Sequence, residues 1–172
     1  ASTSLVGAEI EMVSLIGREL VLKKSLELLT RDYKYVIIDC PPSLGLLTIN
    51  SLAASDSVLI PIQCEYYAME GLGQLLNTIR LVQRSLNRNL QIEGVLITMY
   101  DSRLRLSHEV SEQVRSHFKG KVYKTVVRRN VRLGESPSFG KPIILYDATS
   151  AGAQDYMNLV GELLNDDKQT AR

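Results

Sequence analysis

The stretch YVIIDCPPSLGLLTINSLAASDSVLIPIQ, residues 35–63, decides the fold. YVIID (35–39) is apolar until its last residue, LLTINSLAASD (46–56) suits a helix, and SVLIPI (57–62) is a second apolar run. A strand that is apolar throughout, not alternating, is expected where both faces are buried. A helix between two such strands is the mark of a parallel crossover.

The same alternation continues in both directions. Residues 8–16 and 18–30 read as helices, with Leu20, Leu22, Leu26 and Leu29 near a spacing of three to four. Residues 69–86 form a long amphipathic helix with Leu72, Leu75, Leu76, Ile79 and Val82 on one face. GVLITMY (94–100) is a third strand, 106–118 a helix, VYKTVV (122–127) and PIILY (142–146) shorter strands, and 150–164 a closing helix. The expectation is a single α/β domain over 1–172, a doubly wound, mostly parallel sheet flanked by helices with right-handed connections. Ligands of such sheets sit beyond the carboxyl ends of the strands, where Asp39, Gln63, Cys64, Glu65, Tyr100 and Asp101 fall.

Composition narrows the function classes. With 45% hydrophobic and 23% charged residues, the chain has enough apolar material for a sizeable core. No run approaches the roughly 20 apolar residues of a membrane span. The first residues lack the basic and apolar regions of a secretory signal, and they also lack an initiator Met, so the chain is read as beginning inside a longer protein or after processing. Cys40 and Cys64 make no disulfide framework and share no zinc spacing with His108 and His117, so both are expected as reduced, mostly buried thiols of a cytoplasmic protein. The net charge of +1 conceals an asymmetry. Residues 1–60 hold seven acids and five bases, whereas 115–132 hold seven Lys or Arg and no acid. That run is either a polyanion site or a solvated face balanced by the rest of the fold.

Asp39 admits two readings. A carboxylate just past a central strand orders magnesium-bound water beside a triphosphate, or it simply caps the strand end. Pro41 and Pro42 stop the strand because proline lacks the ladder N–H, and Ser43 and Gly45 then open a loop able to approach a phosphate. No phosphate cradle accompanies them. Gly120-Lys121 and Gly140-Lys141 are followed by Val122 and Pro142, not by the Ser or Thr that a Walker A loop needs, and Gly71-Leu72-Gly73 does not complete a dinucleotide fingerprint. Ser107-His108 has no nucleophile elbow around it and reads as a polar helix start. Arg103 and Arg105 follow the third strand and, with Arg128, Arg129 and Arg132, suit a patch for phosphate backbones.

Taken together, DCPPSLGLLTINSL, IPIQCEYYAMEGLGQLLNTIRLVQ, GVLITMYDSRLRLS and NVRLGESPSFGKPIILYD resemble the ParA/Soj chromosome- and plasmid-partitioning ATPases, of the deviant-Walker group that includes MinD. The likeness runs from about Leu5 to Leu164. It implies a P-loop NTPase fold, use of ATP and Mg²⁺, a homodimer in the ATP state, non-specific DNA binding at the nucleoid, and a ParB-type partner that stimulates hydrolysis. Carried onto this chain, Asp39 matches the Walker B-like acid, reaching Mg²⁺ through water, and Pro41, Pro42, Ser43 and Gly45 match switch II. Arg103 and Arg132 match DNA-contacting arginines, with Arg105 beside the first. Asn130 lies in a segment that resembles the one beside the adenine. Arg128 stands where a proline is common, and Gly134 where a serine is common. The family's Walker A loop and switch I aspartate have no counterpart here, so the chain resembles the carboxyl-terminal two-thirds of such an ATPase, expected to be inactive alone. Two further readings stay beside this one: a non-catalytic DNA- or partner-binding module that keeps the family surfaces, and a MinD-like ATPase, against which the polar tail GELLNDDKQTAR speaks.

Overall fold

The protein is described from a computed structural model, which covers residues 4–40 and 43–170. It forms two compact units, 1–58 with 73–91, and 59–72 with 92–172.

In the first unit, α1 (Ser4–Met12) is followed by a 3₁₀ turn, Arg18–Leu20, and by α2 (Val21–Glu27); α3 (Leu46–Ala54) packs against both the turn and α2. Asn50, only 3% exposed, explains that packing. Its Oδ1 accepts from the Leu22 amide at 3.1 Å, while its Nδ2 donates to the carbonyls of Arg18 at 2.8 Å and Leu46 at 3.0 Å. A buried amide that is fully hydrogen-bonded fixes a register, where an unpaired one would cost stability. Most of α4 (Ala68–Ser85) lies in this unit, and Leu76, Ile79 and Val82 are buried on the face expected from their spacing.

The expected strand at 35–39 is not part of any sheet. Its backbone carries no ladder, and Val36 and Ile37 are 53% and 92% exposed. β-Branched residues favour a strand only through the neighbours they pack against, and among the described residues no strand is laddered to this run. The expected burial of Cys40 fails for the same reason: Cys40 is exposed, while Cys64 is buried.

The second unit carries the sheet, in the order β1 (Ser57–Gln63), β2 (Gln91–Tyr100), β3 (Val122–Arg128). β2 and β3 are parallel. The Gln91 amide bonds the Asp56 carbonyl, and the Cys64 amide bonds the Thr98 carbonyl, so β1 rises with β2 as well. Helices α4 and α5 (Arg105–Phe118) make the two crossovers that parallel neighbours require. Pro61 sits exposed within β1, which is an edge of this sheet and so tolerates a missing N–H. The α/β architecture with helices flanking a parallel sheet is as the sequence indicates.

On one face of the sheet, Leu96, Tyr123 and Val127 pack with Leu159 of α8 (Ala151–Thr170). Gly94 is required there, because a Cβ would lie 2.6 Å from the Tyr123 ring. Val95 and Ile97, both fully buried, point to the opposite face by the two-residue period of a strand.

Between β3 and α8 the chain makes α6 (Val131–Glu135), a 3₁₀ turn at Ser136–Phe139, and the single turn α7 (Ile143–Tyr146). The strand expected at 142–146 is this α7. Pro142 sits at the N-cap with φ −65°, and its carbonyl accepts from the amides of Leu145 and Tyr146, which winds the apolar run into a helix.

Candidate functional site

The chemistry-bearing residues of the second unit gather where β2 and β3 end. The register between these strands is irregular at two places, and Met99 has φ +54° in its last turn of chain. A left-handed Met is strained, and its unbranched side chain makes it a tolerable residue for that role. The irregularity re-aims Tyr100 and Asp101 at the rim of the sheet.

Asp101 then organises the loop. Its Oδ1 accepts from the Arg103 amide at 3.0 Å, an Asx turn, and its carbonyl accepts from the Leu104 amide at 3.0 Å. The carboxylate also holds the Arg103 guanidinium as a fork, Nε to Oδ1 at 2.9 Å and Nη2 to Oδ2 at 2.7 Å. These bonds from Arg103 pull the Asp101 carboxyl down to about 2. The Asp101 side chain is 12% exposed and that of Arg103 85%, so a sunken acid presents an outward base.

A second set of bonds ties the loop to α5. Ser107, 1% exposed, accepts the Asp101 amide on its Oγ at 3.3 Å. The His108 ring lies between the Ser102 carbonyl, 2.9 Å from Nε2, and the Tyr100 hydroxyl, 3.1 Å from Nδ1. A carbonyl only accepts, so Nε2 carries the proton, and in the neutral ring Nδ1 accepts from Tyr100. Ser107 and His108 lie in the first turn of α5, the polar helix start the sequence indicates, and from there they also fasten the loop.

The other arginines are paired too. Arg105, 92% exposed, bonds Glu109 at 2.7 Å. Arg128 forks onto Asp155, a buried acid of α8, and Arg129 meets Glu65 at 3.1 Å. Arg132 bonds Glu135 at 2.9 Å and lies 3.6 Å from Asp147. Asn130 is the N-cap of α6, its Oδ1 accepting from the Arg132 amide at 2.9 Å. Its oxygen is therefore engaged in its own helix.

In the first unit, Asp39 is exposed at the end of the extended run. The Ser43 carbonyl accepts from the Thr48 hydroxyl at 2.6 Å, and Gly45 is the N-cap of α3. A Cβ on Gly45 would collide with the Glu9 carboxylate, which caps the Leu46 amide at 2.8 Å. A Cβ there would displace the end of the Glu9 side chain and with it the bond to the Leu46 amide. Pro41 and Pro42 lie outside the described residues. Among the described residues no group of three His, Cys, Asp or Glu stands ready to hold a metal ion.

The sequence singles out Arg103, Arg105 and Arg132 and puts Asp101 at the strand ends, but the pairing of these arginines with acids emerges only in the structure. The signal was present at Asp101: an acid just past a strand with an arginine two residues on is an Asx-turn pattern.

Comparison with known proteins agrees with the fold. The family model described as "AAA domain" matches residues 1–92. The sporulation initiation inhibitor protein Soj of Bacillus subtilis is 63% identical over 163 residues, covering 95% of this chain and 64% of that protein. The chromosome-partitioning ATPase Soj of Treponema pallidum is 50% identical, covering 98% of this chain and 67% of that protein. A crystal structure titled cobyrinic acid a,c-diamide synthase from Mycobacterium smegmatis, with bound ATP analog and magnesium, superposes with a TM-score of 0.69 at 43% identity, over 76% of this chain and 54% of that one. The chain thus spans about two thirds of the length of its curated relatives. Parallel strands joined by helices, a loop of presented arginines at their carboxyl ends, and identity of this depth across nearly every element have one reading: the chain belongs to the Soj/ParA family of chromosome-partitioning ATPases.

Proposed function

We propose that this chain serves as the DNA-engaging part of a ParA/Soj-type partitioning ATPase. It binds duplex DNA without sequence preference, at the nucleoid, through phosphate contacts made by Arg103, Arg105 and Arg132. The supporting observation is the presentation of Arg103: its guanidinium is forked onto a sunken carboxylate and is 85% exposed on a fastened loop. The fork uses Nε and Nη2, so the Nη1 N–H groups of a guanidinium already fixed in orientation are left for phosphate oxygens. The reading includes a homodimer in the ATP state and a ParB-type partner that stimulates hydrolysis, both by similarity to the family.

Nucleotide chemistry is a separate matter. Asp39, Ser43 and Gly45 suit the acid and switch segment of a magnesium–phosphate site, and Asn130 the base side. Phosphoryl transfer relies on a cradle of backbone N–H groups and a lysine, and these 172 residues encode none. The residues present therefore do not fit ATP on their own, and no hydrolytic step is assigned to them.

The test is a fluorescence anisotropy titration of a mixed-sequence duplex at fixed salt, with and without Mg-ATP. Arg103→Ala and Arg132→Ala should each weaken binding by about tenfold and lower the salt slope by about one. Unchanged binding in both variants would remove the DNA assignment.

A further inference from the structure

We propose that the carboxyl edge of this sheet is a self-masked polyanion site, in which Glu65 holds Arg129 as a phosphate contact in reserve. The inference rests on the duplex-binding reading above and concerns how strongly that surface binds.

Two acids and two bases lie across the ends of the strands. Glu65 follows β1, Arg129 follows β3, and Asp101 with Arg103 follows β2 between them. Glu65 and Arg129 belong to strands two places apart, so their 3.1 Å bond spans the end of the central strand. The Arg129 amide donates to the Tyr100 carbonyl at 2.9 Å, which anchors its backbone beside Asp101. The charge of Arg129 reaches Asp101 as well and helps to keep it ionised. Formally these four charges sum to zero.

The two acids differ in kind. Asp101 is 12% exposed and accepts three bonds from Arg103, so it shapes the loop and stays where it is. Glu65 is 56% exposed and touches Arg129, itself 48% exposed, through a single bond. An exposed pair of this type contributes little to folding. What it does instead is set the local charge: a carboxylate beside a guanidinium competes with phosphate for the same donors and repels the phosphate besides. Swinging Glu65 aside exposes a fourth guanidinium, that of Arg129, without disturbing the loop that Asp101 builds. Grip on the polyanion is thereby set by one movable side chain, while its position is set by a fixed one.

The experiment titrates a mixed-sequence DNA duplex with the full chain along a salt series, reading anisotropy for wild type, Glu65→Gln, Arg129→Ala, the double variant and Arg103→Ala. Glu65→Gln should tighten binding by about three- to tenfold and steepen the log–log salt slope by about one, the signature of one added phosphate contact. Arg129→Ala should change the wild-type affinity less than about twofold, because the masked residue contributes little, and the double variant should return to that level. Thermal melts confirm that Glu65→Gln, a surface change, leaves the fold intact. If Arg103→Ala weakens binding while Glu65→Gln alters neither affinity nor slope, the mask is refuted and the duplex reading stands. Tightening by Glu65→Gln that persists without Arg129 would also refute it, as a general charge effect. If the wild type does not bind the duplex, or Arg103→Ala and Arg132→Ala leave its binding unchanged, the duplex reading itself falls and takes the mask with it.

Discussion

Asp101 and Asp39 invite the same description, a carboxylate just past an apolar run, and the sequence draws the eye to Asp39 because two prolines follow it. In the fold Asp39 is exposed, whereas Asp101 is sunk in a turn it has itself closed. The difference was legible in the neighbours: Arg103 supplies the Asx-turn amide and the guanidinium, and nothing of that kind follows Asp39 among the described residues. Because Arg103 donates its side chain and its amide to it, the Asp101 carboxyl falls from the ordinary 3.8 to about 2. A carboxyl lowered on folding stabilises the fold fully above its ordinary value, and the contribution is lost as pH falls toward the lowered one. The Arg103 loop should therefore stay intact at pH 5 and loosen between about pH 4 and pH 2. Carbon-13 NMR of the Asp101 carboxyl checks this directly. A midpoint near 3.8 would mean that the fork does not form in solution.

At the scale of elements, β3 shows how this fold treats a free edge. Glu162 of α8 reaches across to it, accepting from the amides of Lys124 at 2.8 Å and Thr125 at 2.7 Å and from the Thr125 hydroxyl. Burial raises the Glu162 carboxyl, but the Thr125 hydroxyl and the two amides outweigh it, and the net shift is downward. An edge strand with unpaired amides is a template for another chain, and a carboxylate seated on two of them blunts it. Glu162→Ala should cost about 1–2 kcal/mol, since donors lose a charged acceptor yet regain water. Urea denaturation reads this as a lower midpoint at constant slope, and an unmoved midpoint would show the contact to be idle. Elements with long periodic patterns were legible: α4 and α5 lie within a residue of expectation, because many apolar positions vote for one phase. Short runs were not. Residues 35–39 needed a ladder partner, 142–146 yielded to the cap of Pro142, and the turns of 131–139 rest on the Asn130 cap, a signal one residue wide.

For the molecule as a whole, the open issue is whether a chain of this family holds its nucleotide with the residues it has. Binding a triphosphate in water means outcompeting the hydration of about four negative charges, and P-loop proteins do so with a ring of backbone amides, a lysine and a bound Mg²⁺. Here the glycine–lysine pairs fall elsewhere. Gly120 and Lys121 precede β3, where the Lys121 ammonium bonds the Ile92 carbonyl, and Gly140 and Lys141 close a 3₁₀ turn. The presented arginines are each matched to a carboxylate, which makes them reversible contacts for a repeating phosphate backbone and poor ones for a single compact anion. Calorimetric titration of Mg-ATP into the folded chain at tens of micromolar should thus show no saturable heat, while the same preparation binds duplex DNA. Saturable ATP binding that is lost in Asp39→Ala would place the phosphates on the first unit by contacts other than a P-loop, and the assignment of these residues to an incomplete site would have to be abandoned.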